Sequence, residues 1–197
     1  MTEPAKSLHQ LLAQRWSPRA FDPEHEVADA TLVRLLEAAR WAPSAANTQP
    51  WRFLVARRGT AAFDRLFAVL APGNQVWAGR ASVLLLVAAE TVDPDGRPRT
   101  HAGYDTGQAV AHLTVQAQAE GLDVHQMGGF DAPAAAAAFD LPPHLSPVVV
   151  VALGRRTHPG TLPEPLAARE TAPRTRRPVG ELLLPAGDLP LELALSA

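Results

Sequence analysis

The chain has no cysteine among its 197 residues. Disulfides, thiolate metal ligands and a cysteine nucleophile are therefore excluded. Lysine is nearly missing as well: Lys6 stands alone, and arginine supplies the rest of the 18 basic side chains. Any phosphate site must use guanidinium or backbone N–H groups. Arginine suits that task because its planar fork meets phosphate oxygens bidentately. No apolar run approaches the length of a bilayer-crossing helix, and residues 1–20 lack a signal-peptide pattern, so no membrane partner is expected. Cytoplasm is the default expectation. The net charge of -2 provides no basic field to recruit nucleic acid.

Several chemical signatures are missing too. His101, His112 and His125 lie at no metal-ligand spacing, with no H-E-x-x-H and no paired carboxylate beside them, so no metal is expected. A nucleophile elbow G-x-S-x-G is absent, and so is the dinucleotide fingerprint G-x-G-x-x-G.

What is present centres on residues 40–53, R-W-A-P-S-A-A-N-T-Q-P-W-R-F. This stretch joins an amphipathic helix to a strand and is crowded with hydrogen-bonding side chains. Its residue types also suit an ordinary connector, and composition alone leaves both readings open. Upstream, Ser7 is expected to cap a short helix carrying Leu8, Leu11 and Leu12, stopped by Pro18. Asp29 is the expected N-cap of a helix bearing Leu32, Leu35, Leu36 and Ala39 at i, i+3, i+4, i+7. Residues 51–56 read as a strand, residues 60–70 as a helix, and Pro72-Gly73 as a break before Asn74 and Trp77. Residues 82–89 form an apolar run of buried-strand length. The polar segment 93–101 reads as a surface loop, of the kind that borders pockets and selects substrates. Residues 104–120 read as a helix stopped by Gly121, with small residues (Ala109, Ala111, Ala117, Ala119) that suit either a subunit interface or a tight core. Residues 124–127 read as a strand running into Gly128-Gly129, where the missing Cβ atoms let backbone approach a flat ligand. Asp131 is the expected cap of an alanine-rich helix, followed by a buried strand at 147–153. Residues 158–178, rich in proline and arginine, read as an extended arm. Residues 185–197 are expected to pack on a partner or fray.

Three segments carry a family resemblance. A-P-S-x-x-N-x-Q-P-W in the central loop resembles the signature of the nitroreductase family. R-W-S-P-R-A-F at 15–21 and M-G-G-F-D at 127–131 match two further patterns of that family in order and spacing. The resemblance implies an α+β fold: a central mixed or antiparallel sheet flanked by helices, in an intertwined homodimer. It implies one FMN-binding domain over 1–197 with a C-terminal arm at 157–197, and FMN at the subunit interface.

Residue by residue, the resemblance brings Arg15, Ser17 and Arg19 to the flavin phosphate. Trp16 stands where Arg or His is often found. It adds Pro43, Ser44, Ala45, Asn47 and Gln49 from the central loop. Asn74 is either a flavin contact or a turn residue after glycine. Met127, Gly128 and Gly129 border the flavin, with the Gly128 N–H implied as partner of N5, where negative charge develops on reduction. Arg174 and Arg176 match a late basic pair that returns to the phosphate, with Arg155, Arg156 and Arg177 as competing choices.

No catalytic side chain is assigned. The implied reaction is ping-pong: NAD(P)H docks transiently over the flavin and passes hydride to N5, and an oxidising small-molecule electrophile takes its place. Three functions follow: reduction of nitroaromatics, quinones or similar electrophiles; a narrower family task, such as enal or semialdehyde reduction or a flavin-dependent dehydrogenation; or FMN binding without turnover.

Overall fold

A computed structural model of the chain describes residues 8–184. In chain order its helices and strands are α1 (Gln10–Gln14), α2 (Asp29–Arg40), β1 (Trp51–Arg57), α3 (Ala61–Ala68), α4 (Pro72–Ala78), β2 (Val83–Glu90), α5 (Ala102–Ala119), β3 (Asp123–Met127), α6 (Ala132–Ala138), β4 (Leu145–Gly154) and α7 (Glu164–Thr171). Short 3-10 turns lie at Ala45–Asn47, Pro159–Thr161 and Val179–Leu182.

The four strands form one sheet in the order β1-β2-β4-β3, and every pairing is antiparallel. The apolar run expected to be a strand is β2, which sits inside the sheet and is buried along nearly its whole length. Strand side chains alternate between faces, and here the alternation divides the core in two. Val83, Leu85 and Val87 of β2 join Val151 and Leu153 of β4 on the face covered by α2 and α5. Leu84, Leu86, Val150 and Ala152 point the other way, into a cluster with Phe63 and Leu66 of α3, Trp77 of α4 and Ala135 of α6. A strand buried on both faces has no polar alternation, which is why β2 reads as a continuous run.

Several local expectations need correction. Asp29 is the first residue of α2 rather than its cap; Ala28 holds the cap position with no side-chain bond. The Asp29 carboxylate instead pairs with Arg57. Pro72-Gly73 does not break the chain but opens α4, with Pro72 in the first turn. Proline fits there because that N–H would have no helical acceptor anyway. The arm is not extended throughout, since α7 forms within it after Pro163. His9 holds the cap position of α1, its ring nitrogen accepting from Leu11 N–H at 3.3 Å. Ser7 and the segment 185–197 lie outside the described residues. Asp131 does cap α6, accepting from Ala134 N–H at 2.9 Å.

Small residues on α5 divide between two surroundings. Ala109 and Ala117 are fully buried against the sheet, whereas Ala111 and Ala119 face outward.

Candidate functional site

The central loop between α2 and β1 is held from several directions. Its Ser44 hydroxyl accepts from Gln49 N–H at 3.0 Å. The Gln49 amide nitrogen donates to both the backbone oxygen and the Oδ1 of Asn47 at 3.2 Å. Ala45 N–H donates to Asp105 Oδ2 at 3.0 Å, from a carboxylate only 2% exposed on α5. Arg99 donates to Thr48 O at 3.1 Å and Arg52 to Gln49 O at 2.9 Å. These restraints hold three non-glycine residues in the left-handed region: Ala46 (φ 49°), Asn47 (φ 55°) and Gln49 (φ 46°). Each such residue costs on the order of 1–2 kcal/mol. A plain connector has no need of this cost, and strain of this kind concentrates at functional sites.

A second cluster forms where the N-terminal turn meets the arm. Arg15 Nη1 donates to Ser17 Oγ at 3.0 Å. Arg174 reaches back to donate to Arg15 O at 2.7 Å and to Ala13 O, with its guanidinium 5.7 Å over the Trp16 ring. Burial, together with the like charges of Arg176 and Arg174, pulls the Arg15 guanidinium below its usual value, and Asp123 opposes this. Arg19 N–H and Ala20 N–H both donate to Glu170 Oε1, at 2.7 and 3.3 Å. Trp16 also borders a cavity of about 340 Å³, lined further by Arg156, Thr157, Pro159, Glu170 and Ala172.

The third cluster is the glycine turn after Met127, which is itself buried. Gly129 O accepts from the Asn74 side-chain amide and from Ala71 N–H, both at 2.9 Å. Asn74 is therefore a brace for this turn. A Cβ built on Gly129 would stand 3.0 Å from that Asn74 nitrogen, whereas one on Gly128 would meet nothing within 4 Å. Gly129 is needed for packing, while Gly128 faces open space.

Clusters two and three are joined through aromatic rings. His125 Nδ1 lies 2.9 Å from Pro18 O, which can only accept, so the ring carries its proton on that nitrogen. The same ring packs 4.5 Å from Trp77, and Trp77 stacks on Phe21 at 6.1 Å. Among the described residues no side-chain hydrogen bond ties the central loop to either cluster. Pro43 is exposed, and among the described residues Arg176 donates only to its own segment, at Thr175 O. Arg155 pairs with Asp22 and Arg156 lies near Asp123.

Sequence reading missed the buried carboxylates that brace these clusters, Asp105 and Glu170. Each had a signal. Asp105 falls on the buried stripe of α5 with Ala102, Ala109 and Leu113, and Glu170 follows Leu166 and Ala167 on the packed side of α7. A charge at an apolar stripe position marks a residue with a specific partner.

The sequence pattern of the nitroreductase family matches residues 12–155. Protein DrgA of Synechocystis sp. is 32% identical over a 202-residue alignment that covers 86% of this chain and 91% of that protein. A candidate NADH dehydrogenase/NAD(P)H nitroreductase of Rhodopseudomonas palustris is 31% identical over 149 residues, 66% of this chain and 75% of that protein. A crystal structure described as an oxidoreductase containing FMN is 34% identical, covers 95% of this chain and 96% of that one, and superposes with a TM-score of 0.88. With its α+β architecture and antiparallel sheet, this chain belongs to the nitroreductase family.

Proposed function

We propose that this protein is an FMN-dependent oxidoreductase that takes electrons from NAD(P)H and passes them to nitroaromatics, quinones or similar small electrophiles. One observation carries the reading: the Arg15 guanidinium donates to the Ser17 hydroxyl at 3.0 Å on a turn that Arg174 holds through Arg15 O at 2.7 Å, and burial with the like charges of Arg176 and Arg174 pulls the Arg15 guanidinium below its usual value. Such a cluster is stabilised by a bound dianion, which a flavin phosphate supplies. The similar structure whose description includes FMN supports the same choice of anion.

The donor set fits the group. Arg15, Ser17, Arg19 and Arg176 would hold the phosphate, with Arg174 steadying the turn they stand on. Gly128 would present its N–H across open space to the flavin edge, and Ser44, Asn47 and Gln49 would offer polar contacts from the central loop. Bound there, FMN supplies hydride acceptance and donation, chemistry that no side chain here provides. The protein's part is to bind, orient and exclude water. With no dinucleotide fingerprint in the chain, NAD(P)H and the electrophile would use one place in turn, giving ping-pong kinetics.

We also propose a homodimer with FMN at its interface. Leu12, Val33, Trp41 and Tyr104 are exposed apolar side chains, Trp41 at 73%. A groove of about 790 Å³ runs between α1, α2 and α5, lined by Leu11, Leu12, Ala38, Trp41 and Val115 among others. A second copy covering this face would bury it and enclose each loop cluster.

An absorption spectrum combined with gel filtration tests both statements. A flavin band in a species of dimer size is expected, with steady NAD(P)H consumption once an electron acceptor is added. A colourless protein that takes up no added FMN would overturn the reading. Arg19→Ala is expected to weaken FMN retention with the thermal midpoint unchanged; full flavin occupancy in that variant would remove Arg19 from the phosphate site.

A further inference from the structure

Residues 15–20 form neither helix nor strand, so their path is set by what they touch. Pro18 O is held by His125, and Arg15 O by Arg174. Ala20 O accepts from Thr157 N–H at 2.9 Å, and the amides at the end of the turn are held by Glu170, whose side chain is 3% exposed. Its Oε1 accepts from two consecutive amides, Arg19 and Ala20, and its Oε2 lies 3.7 Å from the Arg19 guanidinium. A carboxylate on successive N–H groups fixes two peptide planes at once, through bonds stronger than neutral ones. Packing alone does not call for this residue, because Leu166 and Ala167 already seat α7 on the core. Burying a carboxylate is costly unless it is paired and hydrogen-bonded, as Glu170 is here.

We infer that Glu170 is a positioning residue for the anion cradle. It sets the backbone at Arg19–Ala20 and the direction of the Arg19 guanidinium, so Arg15, Ser17 and Arg19 converge before a phosphate arrives. A guanidinium has five N–H donors, and the one long contact to Glu170 leaves others for the anion. This inference rests on the FMN reading above.

The test compares FMN with riboflavin, which lacks the phosphate, by fluorescence titration of the flavin-free protein. Thermal midpoints are recorded on the same samples. Glu170→Ala is expected to weaken FMN binding about tenfold and leave riboflavin binding unchanged. Glu170→Gln, which keeps an acceptor for both amides, is expected to stay within about threefold of the original protein. Equal losses of FMN and riboflavin would make Glu170 a general packing residue. Tighter FMN binding would make it a competitor of the phosphate. Either result, or no change at all, overturns the inference. If the alanine variant does not fold, Glu170→Asp, which keeps the charge but withdraws the acceptor, decides against Glu170→Gln: weaker FMN binding in the aspartate variant supports positioning, and the reverse order overturns it. Failure of the unaltered protein to bind FMN sinks the functional reading itself, whereas normal binding with an indifferent Glu170 sinks only this step.

Discussion

The central loop and the N-terminal turn are both irregular, polar and braced by a buried carboxylate, yet they are built differently. The loop takes its brace from Asp105 in the first turn of α5, a long helix seated on the sheet core. The turn takes its braces from Glu170 and Arg174, on an arm that follows the last strand and is largely exposed. The loop is thus as firm as the core beneath it. The turn is tied to the sheet at Pro18 O by His125 of β3, but at Arg15, Arg19 and Ala20 it depends on the docking of the arm, and local stability can differ widely across one fold.

The sharpest way to break this contrast is Asp105→Ala. Leaving Ala45 N–H without its acceptor, above three left-handed residues, should cost about 2 kcal/mol of stability and release flavin as well. Chemical denaturation measures the first effect, and an unchanged midpoint would show that the loop holds itself. Arg174→Ala should act more narrowly, weakening FMN retention about tenfold with a stability change below about 1 kcal/mol. A large drop in stability would place the arm in the core and erase the contrast.

The smallest effect is one of pH. Burial holds the His125 imidazole below its usual value near 6.5, with Arg19 adding to the shift and Glu170 and the backbone oxygens of Pro18 and Ser17 opposing it. The unfolded chain therefore binds more protons below that value, and stability falls as pH drops from about 6.5. His25, lowered by burial and by Arg155, contributes with the same sign. Replacing His125 with Gln should flatten the curve partly, leaving the share due to His25. Protonation leaves the His125 Nδ1–H bond to Pro18 O in place but puts a charge on a buried ring beneath the turn, so acid should loosen the turn before the loop, seen as FMN loss ahead of any change in the Trp41 or Trp51 environment. Simultaneous changes would argue that the two regions open together.

These differences bear on what a sequence can tell. The β2 run and the stripe of α2 were legible because burial on a regular element leaves a period in the residues. Arg15, Ser17 and Gly128 are proposed for the site only through a family pattern, since nothing local distinguishes them from solvated or turn residues. Pro72 misled because the same residue that ends one helix can begin another, and which happens depends on the chain downstream. The extended reading of 158–178 failed for a related reason: proline density hid L-A-A-R-E, a short run of good helix formers. Asp105 and Glu170 were visible as charges on apolar stripes, but their partners lie 60 and 151 residues away. No local signal carries such a distance.

The span from Arg19 to Glu170 also orders events in time. During synthesis the sheet strands are all made before α7, and the strand pairings do not involve it. A chain that has just completed β4 can fold its core while the proposed phosphate cradle still lacks one wall. Cofactor capture should then lag behind folding, and refolding experiments should show tryptophan burial preceding flavin uptake. The arm would serve as the closing step of assembly, admitting the cofactor only to chains made through to their late segments.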